Sequence, residues 1–439
     1  MGNLSQGEIL ITKAGHKCKI IKSLGEGSQG EVFQVEVFQV GVENKSLALK
    51  WYNPAFATAE QNNNLQKLIE KGAPNQNFLW PFDIIEKLQD NSLGYLMPIR
   101  PSGFHDLNDH VSRRVETTFR NLITACMNLC DSFAQLHLSG LCYADISFNN
   151  VFFNEKNGDI LICDNDNVTI DRVGLSGVIG TPGFKAPEIE LGKDSPNSNT
   201  DYYSLAVLLF QMLMYAHPLD GKLEVEIHCK DEQGAKKLYG ENPVFIWDPE
   251  NESNRPVRGI HDNAIIYWPI YPQILHDKFT QVFTKGLRNP GARVMETEWR
   301  NTMATLLDSI FKCTCGAENF YDIQKIKNKQ LGKCWNCQKD LRLPPRIKIG
   351  GKFIVMLNPD TKLYPHHIQD KPFDFSQPVA EVVQHPQNPN IWGLKNLTNE
   401  NWTCKQPKGS TTIVPPGKSL TLSAGANINF GKIEGVITG

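Results

Sequence analysis

The chain has 439 residues, 40 % of them hydrophobic and 21 % charged, with a formal net charge of −2 at pH 7. That length supports two or three domains with full-sized cores, and so small a net charge gives no electrostatic reason to expect nucleic acid or an acidic membrane as partner. The longest apolar run, YSLAVLLFQMLMYA at 203–216, falls short of the ~20 residues that a membrane span needs, so a buried helix is expected there.

At the start, MGNLSQ places Ser5 one residue too early for a myristoylation signal and puts Gln6 at the hydroxyl position, and no basic–apolar secretory pattern follows. Residues 15–55 alternate as strands do. The tandem EVFQVEVFQV is a five-residue repeat, which swaps faces in a strand and so encodes no repeat architecture. Within LGEGSQGEVF (24–33), Gly25, Gly27 and Gly30 precede Val32; glycines there let backbone amides approach phosphate oxygens, although a hairpin turn reads the same way. Strand-like residues follow instead of the helix a dinucleotide fold would need. Lys50 closes LALKWYNP, where its ammonium could reach a nucleotide's phosphates; an isolated strand lysine is more often merely solvated.

Helical spacing appears at 58–72 and 115–140. In CYADISFNNVFF (142–153), Asp145 stands five residues before Asn150, a pair that a chance string in a surface loop could also supply. In NGDILICDNDNV (157–168) an apolar run leads into Asp164, and DNDN alone reads as a polar turn. Residues 200–310 are expected to be mostly helical apart from a polar stretch near 230–260, and the composition shifts again after 346, where short alternating runs predict a β domain.

In this order the residues resemble a protein kinase of the serine/threonine class. GTPGFKAPE (180–188) is similar to the end of a kinase activation segment, TDYYSLAVLLFQML to the helix that follows, and GLRNPGARVMETEW offers Arg293 as an ion-pair partner for Glu188. The resemblance implies a bilobal α+β fold over 1–312, with lobes of about 1–98 and 99–312. It implies nucleotide contacts from Gly25, Gly27, Gly30, Val32, Lys50, Glu60 and Met97, with Glu60 preferred to Glu70 as the helix-borne partner of Lys50. It further implies magnesium or manganese held by Asn150 and Asp164, and Asp145 orienting a serine or threonine hydroxyl toward the γ-phosphate of ATP. HPLDG, the insert NPVFIWDPENESNRP and the cysteines just beyond are similar to a bacterial group of such kinases. That group implies a metal-dependent protein phosphatase and a von Willebrand factor A-type protein as partners.

The residues on magnesium, phosphate and acceptor proton are all present, which favours activity. Tyr143, Ala144, Ser147 and Asn165 depart from the family pattern, and Asp166 stands in place of its glycine. Ala144 removes the arginine that clamps a phosphorylated activation loop, Ser147 removes a phosphate-contacting lysine, and Asn165 removes an apolar packing group. They support the alternative of a nucleotide-binding pseudokinase scaffold.

Eleven cysteines divide unevenly: Cys18, Cys126, Cys130, Cys142, Cys163, Cys229 and Cys404 are scattered like buried thiols, while Cys313, Cys315, Cys334 and Cys337 cluster. Two close pairs in a chain expected in the reducing cytoplasm suit a structural four-thiolate zinc ribbon, assigned to 313–346, rather than disulfides. Residues 347–439 resemble a forkhead-associated β-sandwich through LYPHHI, LKNLTNENW and LSAGANINFG. LNPDTK stands where that family has Gly-Arg, and Asn399-Glu400 where it has Asn-Gly, so a protein-binding sandwich is expected without commitment to phosphothreonine. His366 and His367 are expected as turn residues.

Overall fold

In the computed structural model, residues 4–38, 45–87, 92–173, 180–227, 231–328 and 331–439 are described. Cys229, the centre of the activation segment (174–179) and the end of the second EVFQV lie outside them. The chain divides into two compact units, Met1–Trp268 with Asp277–Arg300, and Pro269–His276 with Asn301–Gly439.

The first unit opens with an antiparallel sheet ordered β1-β2-β3-β4-β6-β5, formed by Ile9–Ile11, Lys17–Glu26, Gly30–Phe38, Lys45–Tyr52, Ser92–Pro98 and Asp83–Lys87 for β1, β2, β3, β4, β6 and β5. Helix α1 (Ala59–Lys71) begins at Thr58, whose hydroxyl accepts from the Gln61 amide. Both faces of the sheet are covered. Phe33, Val35, Leu49, Trp51 and Leu96 pack on one side, and Ala48, Tyr52, Tyr95 and Met97 pack with Leu65 of α1 on the other. That is why β4 reads as an almost unbroken apolar run. The repeat behaves as a five-residue period must in a strand: Phe33 is buried and its counterpart Phe38 is 37 % exposed.

The rest of the unit is mostly helical. After β7 (His105–Asp106) and α2 (Leu107–Val111), α3 (Phe119–Leu138) is followed by β8 (Leu141–Cys142), β9 (Val151–Phe153), β10 (Ile160–Ile162) and β11 (Thr169–Ile170). Then come α4 (Pro187–Glu190) and α5 (Ser198–Met214), with α5 entered through a capping box between Asn197 and Thr200. The apolar run 203–216 is this helix, buried from Tyr203 to Phe210. The polar insert is locked from within. Asn254 is fully buried, donating to the carbonyls of Leu219 and Val244 and accepting from the Leu223 amide. A Cβ on Gly221 would lie 2.0 Å from the Asn254 carbonyl oxygen, so HPLDG and ESNRP depend on each other for close packing.

In the second unit, β12 (Ile310–Lys312) pairs with β13 (Glu318–Phe320), so the residues leading into the cysteine cluster belong to its own hairpin. Beyond it lie two antiparallel sheets. One runs β15-β14-β23-β22-β19-β20, with Phe353–Met356, Arg346–Ile349, Glu434–Thr438, Asn427–Asn429, Trp402–Lys405 and Thr411–Val414 as those strands in that order. The other runs β16-β17-β18-β21, with Lys362–Leu363, Ala380–His385, Asn388–Asn396 and Ser419–Thr421. Their shared core includes Ile347, Leu363, Leu394, Trp402 and Ile437.

Candidate active site

Strand register sets the first component. Val32, Lys50 and Tyr95 pair in succession across β3, β4 and β6, so Lys50 shares its row with the residue just beyond the glycine loop. A Cβ on Gly30 would sit 2.1 Å from the Trp51 carbonyl oxygen, whereas one on Gly25 would meet nothing. Close strand packing therefore requires Gly30, while Gly25 keeps outward space clear. Met97 pairs with Ala48 in the buried layer under α1.

Lys50 is nearly inaccessible, and its ammonium ion-pairs with Asp164 and Asp166 and donates to Gln29 Oε1 at 2.8 Å. Burial pushes its pKa down, but Asp166 and then Asp164 outweigh that and hold it above the usual lysine range. The glutamate expected from α1 does not occupy this position. Glu60 and Glu70 are exposed, and the helix turns Gln61 and Asn64 inward instead. Helical geometry explains the difference: Gln61, Asn64, Leu65 and Leu68 share the inner stripe, and residue 60 falls beside it.

Asp164 follows β10 with φ +56°, a left-handed conformation uncommon for a side chain-bearing residue and held here by its surroundings. Asn165 sits beneath it, fully buried, and donates at 3.0 Å to the carbonyls of both Leu79 and Ile162. A hydrogen-bonded amide thus anchors the loop where the kinase pattern has an apolar ring. Asp164 is held above the usual carboxylate range by burial, with Asp166 adding to the effect against the pull of Lys50.

The loop between β8 and β9 is fixed by Asp201 of α5, which accepts from the amides of Tyr143 at 2.6 Å and Ala144 at 3.0 Å. Ala144 lies at φ +68°, and this double contact holds it there. Tyr143 is fully buried, edge-on to Phe133, and its hydroxyl donates to the Cys163 carbonyl, joining this loop to the strand before Asp164. Asn150 donates to the Asp145 carbonyl at 2.8 Å and to its carboxylate at 3.2 Å. Thr181 Oγ1 donates to the other Asp145 oxygen at 2.6 Å. Arg293 makes a two-pronged pair with Glu188 at 2.7 and 2.8 Å and donates to the Gly286 carbonyl, bracing the segment that carries Thr181.

Asp145 and Asn150 on one loop and Asp164 on another are therefore joined through Tyr143, with Lys50 of β4 bound to Asp164 and the glycine loop resting on Lys50. Sequence reasoning missed Gln29, Gln61, Asn64 and Asp166. The signal available for Asp166 was a charged residue where the kinase pattern places glycine.

Residues 18–265 match the protein kinase domain, and the chain belongs to that family. Among curated proteins it is similar to serine/threonine-protein kinase YPK3 of Saccharomyces cerevisiae, 26 % identical over 275 residues, covering 52 % of this chain and 51 % of that one. It is also similar to the cell cycle serine/threonine-protein kinase CDC5/MSD2 of the same yeast, 25 % identical over 246 residues, covering 51 % of this chain and 32 % of that one. The chain thus spans about half of the first relative's length and about a third of the second's. A crystal structure of the Mycobacterium tuberculosis PknI kinase domain aligns with 20 % identity and a TM-score of 0.45, covering 69 % of this chain and 98 % of that one.

In the second unit, the sulfurs of Cys313, Cys315, Cys334 and Cys337 all lie within 4.8 Å of one another, with Cys313–Cys337 at 3.6 Å and Cys315–Cys334 at 3.8 Å. A tetrahedron of thiolates at the ~2.3 Å zinc–sulfur distance has edges of about 3.8 Å, which these separations fit; a disulfide they do not. The Cys315 backbone amide first, then the neighbouring thiols, hold Cys313 down at about 6, while Cys337 stands at about 11, as expected of thiols competing for protons.

Elsewhere in that unit, Asn396 is fully buried, donating to the carbonyls of Glu400 and Val414 and accepting from the amide and hydroxyl of Thr398. His367 Nδ1 accepts from the Tyr364 amide at 2.9 Å, and His366 Nδ1 from the Phe373 amide at 2.9 Å. Both histidines are buried in the one-turn helix Pro365–Ile368 rather than in a turn, because Pro365 opens the helix and each Nδ1 accepts a backbone amide. No helix among the described residues is long and apolar enough to cross a membrane.

Proposed function

We propose that this chain is an ATP- and magnesium-dependent serine/threonine protein kinase that transfers the γ-phosphate to protein hydroxyls. The observation that carries the reading is the pair of contacts on Asp145: a hydroxyl donates to one carboxylate oxygen at 2.6 Å, and the Asn150 amide donates to the carboxylate at 3.2 Å. Asp145 thus already accepts a hydroxyl proton donor, as a base orienting an acceptor serine or threonine must. Lys50 supplies a fixed positive charge for the nucleotide's phosphates, and the open faces of Gly25 and Gly27 leave room for backbone amides to approach them. Asp164 and the Asn150 side-chain carbonyl are hard oxygen donors that suit magnesium or manganese. When bound, that ion would neutralise charge on the terminal phosphates.

The remaining assignments belong to the same proposal. Residues 1–312 form the kinase domain and 313–346 a zinc ribbon whose four thiolates suit a reducing cytoplasm. Residues 347–439 form a forkhead-associated-like sandwich that binds protein. Resemblance to the bacterial group supports a metal-dependent phosphatase and a von Willebrand factor A-type protein as partners.

The test is transfer of labelled phosphate from ATP with magnesium, to the chain itself and to a basic protein, beside Asp164→Ala. Label with the native chain and not with the variant is expected. No label with either, together with intact ATP binding, would overturn the enzyme reading in favour of a scaffold.

A further inference from the structure

The loop after Asp164 carries a second carboxylate that the proposed chemistry does not use. Asp166 is fully buried. Lys50 donates to its two oxygens at 2.9 and 3.0 Å, Tyr95 donates at 2.9 Å, and the Tyr52 hydroxyl donates as well. A buried acid with this many donors keeps its charge.

Helix α1 meets the same loop with neutral groups. Gln61 Nε2 donates to the Asp166 carbonyl at 3.0 Å, and Asn64 Nδ2 donates to that carbonyl at 3.2 Å and to the Val168 carbonyl at 2.9 Å. A carboxylate at position 64 would face carbonyl oxygens, and one at position 61 would contest the Tyr52 proton that Asp166 already receives, since Gln61 Nε2 lies 3.0 Å from that hydroxyl. Donor amides are what this side of the helix can use. The ionic partner of Lys50 therefore comes from the loop, and the helix holds the loop through its backbone.

We infer that Asp166 is the residue that positions Lys50 for the phosphates, in the place a helix-borne glutamate would otherwise fill. The inference rests on the kinase reading of Lys50. Asp164 and Asp166 then set metal-binding group and lysine from one short loop, and Gln61 and Asn64 of α1 hold that loop through their side-chain amides.

The test uses the full chain and reads Mg–ATP affinity by competition with a fluorescent ATP analogue, with thermal unfolding as the control for folding. Asp166→Asn is expected to weaken affinity about tenfold, as loss of a charge-assisted contact does. Lys50→Met should weaken it comparably. The double variant should bind no more weakly than Lys50→Met alone, because a residue acting through the lysine has nothing left to act on once the lysine is gone. Multiplying losses, or wild-type affinity in Asp166→Asn, would overturn the assignment. Should Asp166→Asn not fold, Glu60→Ala decides: unchanged affinity supports the loop as the source of the pairing charge, and a loss as large as that of Lys50→Met refutes it. Binding without phosphate transfer sinks the enzyme reading alone and leaves these comparisons legible. No Mg–ATP binding by the native chain refutes both.

Discussion

His137, near the end of α3, lies between two carboxylates: its Nε2 is 2.9 Å from Asp201, and its Nδ1 contacts Glu296. Each ring nitrogen faces an acceptor, so only the doubly protonated imidazolium satisfies both. Burial opposes the charge, but the hydrogen bonds to Asp201 and Glu296 prevail and raise the pKa from 6.5 to about 9. Folding raises this pKa, so the folded chain holds the proton more tightly than the unfolded one. The stabilisation is complete below about 6.5 and is lost as pH climbs through about 9. At 1.36 kcal/mol per pKa unit the loss is about 3 kcal/mol. Asp201 also holds the Tyr143 and Ala144 amides, so the loss falls where the Asp145 loop is anchored. Urea unfolding of the native chain and His137→Gln from pH 6 to 9.5 measures it. The native midpoint should fall across that window relative to the variant. Parallel slopes for the two proteins would refute an imidazolium held by two acids.

Elemental analysis should find one zinc per chain, and a chelator that strips it should lower the unfolding temperature of the second unit, an effect that Cys334→Ser reproduces; metal-free native protein would refute the site. Gly221→Ala should cost about 1–3 kcal/mol, since its Cβ meets the Asn254 carbonyl at 2.0 Å and one of the two segments must shift; unchanged urea stability would show that they are not mutually locked. Asn396→Ala should destabilise the sandwich by about 2 kcal/mol, because two buried carbonyls lose their donor, read as a lower urea midpoint with Trp402 fluorescence.

Much of the site could be read from order alone. Asp145, Asn150 and Asp164 fall at fixed offsets from strand-like runs, and such offsets survive in sequence because short loops between short strands have little freedom. The exposure of Phe38 opposite Phe33 followed from strand period in the same way. What could not be read were contacts across long separations. Gln61 and Asn64 meet a carbonyl about a hundred positions away, and nothing local distinguishes an amide on a buried stripe from one facing solvent. Glu60 is preferred to Glu70 on the sequence because it precedes core-facing Leu65 and Leu68; those two do turn inward, but their stripe takes in Gln61 and Asn64 and leaves residue 60 beside it. DNDN has the composition of a surface turn, and only Lys50, Tyr52 and Tyr95 make its second acid a core residue.

The contact between Gln29 and Lys50 bears on how a ligand arrives. An ammonium has three protons to donate, and the oxygens of Gln29, Asp164 and Asp166 account for three partners. Gln29 also donates to Asn167 at 3.2 Å, so the tip of the glycine loop rests against the loop that follows Asp164. An incoming phosphate oxygen must therefore trade places with a group already bound, and the neutral amide is the easiest to release. In the proposed kinase, entry would be an exchange of one acceptor for a more negative one, with the number of hydrogen bonds on the lysine unchanged.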